Sequence, residues 1–287
     1  TIEVYSGPYN EHVVVNKTLT LQGIDTGSGL PVVNAGGSGS AITISADGCT
    51  VEGFEARNSG SAYPCSGIYA ISNGNTISGN DANHNYAGIY LYHSSNNNIS
   101  GNTATGNSVI GIRLDSSSNN NISSNDATDN SESGIRLDSA SGNTISDNTA
   151  SGNGIAGIWL ASSSSNAILG GIATENDYGI FLSGSSGNTI SAITATDNDY
   201  GIGLSGSSGN TISGNSASGE GSFINLFESN SNEISDNNAT DNIKIRLERS
   251  QVNTISNNTL TDANSSIYLD FSYGNNISGN TVGSIEL

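Results

Sequence analysis

Basic residues are scarce in this 287-residue chain: 7 Lys and Arg stand against 26 Asp and Glu, a formal net charge of -19. Such a chain repels phosphate backbones, which excludes nucleic acid as a partner. It also lacks the Lys- and Arg-rich face of a helix that lies on lipid. No apolar run approaches the ~18 residues of a spanning helix, so no membrane insertion is expected. Methionine is absent, tryptophan occurs once, and proline only 3 times. With 2 cysteines, 3 histidines and no Cys/His cluster, no metal or other cofactor is expected. The acidic, polar composition fits an extracellular or cell-surface location better than a cytosolic one. Thr1 is not an initiator, so the chain reads as a processed or trimmed product.

What is abundant is Ser, Asn, Thr and Gly, with 37 glycines and only 33% hydrophobic residues. Composition alone would suggest disorder. The placement of Ile and Leu argues otherwise. Gly-Ile-x-Leu returns at Gly67, Gly88, Gly111, Gly134, Gly157, Gly179 and Gly201, with weaker copies at Phe223, Lys244 and Ser266, in steps of 21 to 23 residues. A unit of that size cannot bury its own apolar face, so the period indicates a stacked solenoid. Within each unit the apolar residues alternate, as in Ile89 and Leu91 or Ile135 and Leu137. That is the period of a strand, and no stretch shows a helical one. The expected fold is all-β: a right-handed parallel β-helix with coils of about 22 residues.

Asparagines recur at fixed offsets in each coil. The first column is Asn75, Asn97, Asn120, Asn143, Asn166, Asn188, Asn210, Asn232, Asn253 and Asn275. Five residues later comes a second, from Asn80 to Asn280, interrupted by Gly171 and Ile193; a third runs from Asn85 through Asn198 to Asn242 and Asn264. Asn tolerates the left-handed backbone of a sharp bend, and amides stacked ~4.8 Å apart can bond along the column. These are expected to be structural ladders. Between them lie inward Ile77, Ile99, Ile122 and Ile145, then Ala82, Ala104, Ala127 and Ala150. Residues 67–287 form the regular repeats, and residues 1–66 read as irregular coils of the same continuous domain, making a rod about 60 Å long.

The unit Gly-Ile-x-Leu followed by Asn-Thr-Ile-Ser-Gly-Asn resembles the NosD-like repeats, also described as carbohydrate-binding and sugar-hydrolysis repeats, of right-handed β-helices. The opening Ile2-Glu3-Val4-Tyr5-Ser6-Gly7-Pro8-Tyr9, with Leu19-Thr20-Leu21-Gln22-Gly23, is similar to the start shared by those proteins and pectin methylesterases. The resemblance implies the fold over nearly the whole chain, while the fold itself hosts lyases, hydrolases, adhesins and structural proteins. It also implies a strand-entry segment before Thr1, while Ser284-Ile285-Glu286-Leu287 reads as the first strand of one more coil, cut short.

The best acidic pair is Asp115 and Asp138, which follow Arg113 and Arg136 in adjacent Gly-Ile-Arg-Leu-Asp segments. Stacking puts them about 5 Å apart, suited to paired carboxylates; the alternative is a surface ladder of ion pairs. Segments typical of pectin methylesterases or polygalacturonases are missing, and Lys244 and Arg246 lack the acidic group a calcium-dependent lyase would place beside its base. His12, His84 and His93 are too scattered for a metal site.

The outward position of Gly-Ile-x-Leu reads Tyr69, Tyr90, Arg113, Arg136, Trp159, Phe181, Gly203, Asn225, Arg246 and Tyr268, with Tyr92 beside it. Such a strip suits sugar stacking, protein contact or simple packing. Sequons at Asn16, Asn98, Asn121, Asn238, Asn257 and Asn276 are candidate glycosylation sites, while Asn264 is expected inside a corner column. Cys49 takes a corner asparagine's place and Cys65 sits in an insertion near Gly60 to Pro64; a disulfide within or between molecules is open. The first expectation for function is a non-enzymatic component of a layer, sheath or filament built by self-association or by adjoining domains, because both ends of the chain read as uncapped strands. The alternative is a module that binds or cleaves polysaccharide.

Overall fold

The structure is a computed structural model and describes residues 1–241 and 243–286. Among these residues it is all β, with every strand pairing parallel to its counterpart one coil away. Two 13-stranded sheets run the length of the right-handed coil. One is built of short strands such as Asn98–Ser100 and Asn121–Ser123, the other of longer strands such as Ala87–Tyr92, Ile110–Asp115 and Ser133–Asp138. The third wall is intermittent: a 3-stranded sheet near the start, single bridges such as Asp81 to Thr103, then a 5-stranded sheet from Ile172–Thr174 to Thr259–Leu260.

Register explains the thin core. Ile89, Ile112, Ile135 and Ile158 superpose, as do Leu91, Leu114, Leu137 and Leu160. Ile122 pairs with Ile145 on the short-strand sheet, and these stacked aliphatics are buried. Like on like at one rung spacing gives close packing with no void, so each inward Ile or Leu is worth about 2–5 kcal/mol against alanine. Thr50, Val51 and Glu52 pair with Thr76, Ile77 and Ser78, so the sheets continue unbroken from the irregular coils into the regular ones.

The asparagine columns are ladders. The backbone N–H and Nδ2 of Asn97 both donate to Oδ1 of Asn120, at 2.8 and 2.9 Å, and Asn120 repeats this toward Asn143. Nδ2 of Asn120 also donates to the Ser94 carbonyl at 3.0 Å, so the buried amide is satisfied on all sides. Cys49 opens the first column, its N–H donating to Oδ1 of Asn75.

Two expectations need correction, and the cysteines can be placed. The ladder asparagines do not themselves carry the left-handed backbone. The preceding residue does: Asn96, Asn119 and Gly142 before the first column, Gly101, Ser124 and Asp147 before the second. That division of labour leaves the amide free to point inward while its neighbour turns the chain. Asn264 is exposed and lies outside any column, its N–H bonded to the Asp262 carboxylate; Asn242 lies outside the described residues. Cys49 and Cys65 are not bridged to each other within the single chain. Cys49 is buried at the head of the ladder, where its thiol meets the Ala46 carbonyl at 3.1 Å.

A fourth column, of serines, escaped the sequence reading. Ser94, Ser117, Ser163, Ser185, Ser207, Ser229 and Ser250 are all buried at the bend after the long strands. From Ser117 onward each Oγ takes the backbone N–H of the previous coil, as in Ser163 to Ser185 and Ser185 to Ser207 at 3.0 Å, with Ala140 as the interruption.

Candidate functional site

Alternation on the long strands turns Ile and Leu inward and sets one outward residue per coil into a row. Register places Tyr69, Tyr90, Arg113, Arg136, Trp159, Phe181, Gly203, Asn225, Arg246 and Tyr268 side by side. The row is continuous, but its two halves differ in access.

Upstream the row is closed over itself. The insertion brings Tyr63 onto Tyr90, with the two phenol oxygens 2.7 Å apart, and Tyr90 donates to Oδ2 of Asp115 at 3.2 Å. Tyr90 is only 1% exposed, contrary to the expected surface position, because an insertion absent from the other coils covers it. Burial and the phenol of Tyr63 push its pKa well above the tyrosine range, so Tyr90 stays protonated. Burial also raises Tyr69, to about 12. Tyr92 stands at the edge of this cluster, edge-on to His93.

The carboxylate pair lies beside it. Asp115 and Asp138 are in register, and Arg113 bridges them, at 3.5 and 2.9 Å, while its guanidinium sits 5.2 Å from the Tyr63 and Tyr90 rings. Arg136 pairs with Glu132 and, at 2.9 Å, with Asp138, and lies 4.2 Å over Trp159. Both carboxylates are therefore held by fixed cations, in the manner of an ion-pair ladder, and neither is left free to face a ligand. Trp159 is sandwiched between Arg136 and Phe181, whose ring centroid is 5.6 Å away.

Downstream the row opens. Tyr178 and Tyr200, three positions before the row, lie near-parallel at 4.9 Å, and Tyr178 stacks on Phe181 at 4.5 Å. Sequence reasoning missed both tyrosines; the signal was Asp-Tyr-Gly-Ile at Asp177 and Asp199, where other coils have Ser133, Ala156 or Ser222. A depression of about 320 Å³ opens beside these rings toward Asn225, Arg246 and Glu248. A second, of about 340 Å³, continues past Tyr200 to Lys244.

Of the sequons, Asn16, Asn121, Asn238, Asn257 and Asn276 are exposed and Asn98 is half-buried.

The sequence matches the family model described as periplasmic copper-binding protein NosD, over residues 10–192 and 171–286. The chain belongs to the NosD family. Its copper ligands are another matter. This NosD-family chain has no methionine, and among its described residues no three His, Cys, Asp or Glu side chains gather as a metal site. His12 bonds to the Ser40 carbonyl, His84 turns a bend, and Cys49 is locked in its ladder. Those donors do not fit a copper centre.

Solved structures with the same fold include the A-module of the Azotobacter vinelandii mannuronan C-5 epimerase AlgE6, with TM-score 0.71 at 16% identity, covering 99% of this chain and 90% of that one. A periplasmic alginate epimerase matches with TM-score 0.61 at 15% identity, over 93% and 71%. The catalytic domain of a GH87 alpha-1,3-glucanase matches with TM-score 0.54 at 14% identity, over 99% and 64%. At these identities the likeness is one of fold. A search of curated protein sequences gave no significant match.

Proposed function

We propose that this chain is a polysaccharide-binding β-helix module that works outside the cytoplasm and lays an extended glycan along the outward face of its long strands. The observation that carries the reading is the open, aromatic downstream half of that face: Tyr178, Phe181 and Tyr200 beside two adjoining depressions. Sugar rings present apolar faces that stack on aromatic rings, and their hydroxyls bond to flanking polar groups. Support comes also from the solved neighbours, named for mannuronan, alginate and alpha-1,3-glucan chemistry. The periplasmic descriptions of the family and of one neighbour support the location.

Self-assembly into a sheath or filament, the first expectation from sequence, draws no support from these neighbours. Catalysis is left out of the proposal because Asp115 and Asp138 are already held by Arg113. Binding to a glycan array, repeated with Tyr200→Ala, tests the reading. Retention on at least one polysaccharide, weakened about tenfold in the variant, is the expected result. Silence across the array would refute it.

A further inference from the structure

The proposed glycan face has a feature that narrows the sugar class, and the argument rests on that reading. Gly203 stands in the outward row where other coils place large side chains. A Cβ there would lie 2.6 Å from Cδ1 and Cε1 of Tyr178, so glycine is what lets that ring lean across the row. The result is a shelf of three rings, Tyr178, Phe181 and Tyr200, with a notch at its downstream edge.

The charges around the notch are unlike those upstream. In a chain with only 7 basic residues, Arg113, Arg136, Lys244 and Arg246 all stand on this one face. The two upstream are paired with Asp115, Asp138 and Glu132. Downstream, Arg246 pairs with Glu248 at 3.2 Å yet keeps 42% of its side chain exposed. Lys244 is exposed and makes no ion pair among the described residues. Asp199 also borders the second depression, where it can accept from sugar hydroxyls. The ammonium of Lys244 is thus a cation of the groove that no ion pair occupies among the described residues, and it offers a negative ligand a partner in a molecule of net charge -19.

We propose that this notch binds a pyranose carrying a carboxylate. The sugar face rests on the Tyr178–Phe181–Tyr200 shelf, and its carboxylate reaches Lys244, with Arg246 alongside. A charge-assisted bond of this kind separates acidic from neutral sugars.

Calorimetric titration of the full chain with a mannuronate hexasaccharide, its carboxyl-reduced counterpart and an alpha-1,3-linked glucose oligosaccharide tests this. The acidic sugar is expected to bind about tenfold tighter than its reduced form, with the advantage shrinking as salt is added. Lys244→Ala removes the difference without changing the melting temperature, since Lys244 is exposed and makes no ion pair among the described residues. Tyr200→Ala weakens acidic and neutral sugars alike. Equal binding of charged and neutral sugars, or an unchanged preference in Lys244→Ala, would overturn the acidic assignment and leave polysaccharide binding standing. No binding of any saccharide would remove both.

Discussion

The outward face of the long strands carries the same kinds of residue along its length, yet its upstream and downstream halves do different things with them. Around Arg113 and Arg136 every cation has a carboxylate and an aromatic partner, and Tyr63 closes the cluster from above. Around Lys244 and Arg246 the rings stack on one another, Lys244 makes no ion pair among the described residues, and Arg246, though paired with Glu248 and set over Tyr268, keeps 42% of its side chain exposed. Composition of a strip therefore says little about its use. What separates a packing surface from a binding surface is whether its groups have already satisfied each other.

The sharpest way to break that comparison is to remove one cation from each half. Arg113→Ala leaves Asp115 and Asp138 stacked in register with no charge between them, beside a buried tyrosine. The arginine is 19% exposed, so the loss falls short of a fully buried pair, and about 2–3 kcal/mol of stability is expected to go. Arg246→Ala removes a half-exposed pair and should cost less than about 1 kcal/mol. Denaturant titration of both variants decides it; equal losses would mean that the halves are not energetically distinct.

The ladder and row of the regular coils were legible because every coil repeats the same offsets, so one rung fixes the next. Cys49 could be placed in the first column for the same reason. The serine column was equally present but hidden, since Ser is common everywhere and its bond to the next coil leaves no unusual residue behind. The left-handed position was misplaced by one residue because Gly74-Asn75, Gly142-Asn143 and Gly209-Asn210 put a turn former on both sides. Nothing in the repeat could announce that Tyr63 covers Tyr90. The insertion has no equivalent coil, and its contact is made through space, so the upstream half read as open.

A second test lies in a ladder beside the open half. Glu220 stands in the third asparagine column, 6% exposed, with Oε1 accepting from Nδ2 of Asn198 at 2.9 Å and Oε2 buried without a partner among the described residues. Burial pushes its carboxyl up to about 7; the Asn198 amide opposes this, and the charges of Asp197 and Asp199 add to it. Because the folded-state pKa lies above the unfolded one, the folded chain holds the extra proton. Stability is therefore full below about pH 4.5, falls as pH rises toward 7, and is flat beyond. Glu220→Gln keeps the shape, removes the charge, and should stabilise the chain by about 1–3 kcal/mol at pH 8 while abolishing this slope. Equal denaturation midpoints for Glu220→Gln and the parent at pH 8 would overturn this expectation.

The smallest effect concerns the bends. Before the first column, Gly187, Gly209 and Gly274 take the left-handed backbone at no steric cost, whereas Val252, in the coil of Lys244 and Arg246, is held at φ 59°. A β-branched residue there is strained by roughly 1–3 kcal/mol, and glycine returns part of that through the entropy of the unfolded chain. Val252 is 64% exposed, so little burial is lost on replacing it. Val252→Gly should therefore stabilise the chain by about 1 kcal/mol, a rise of some 2 °C or more in melting temperature. Saccharide titration of the same variant should be unchanged, since the bend lies beyond the strand that carries Lys244. A variant that gained stability and lost binding would show instead that strain at this bend helps to shape the groove, and that the open half is held open by its departures from the repeat.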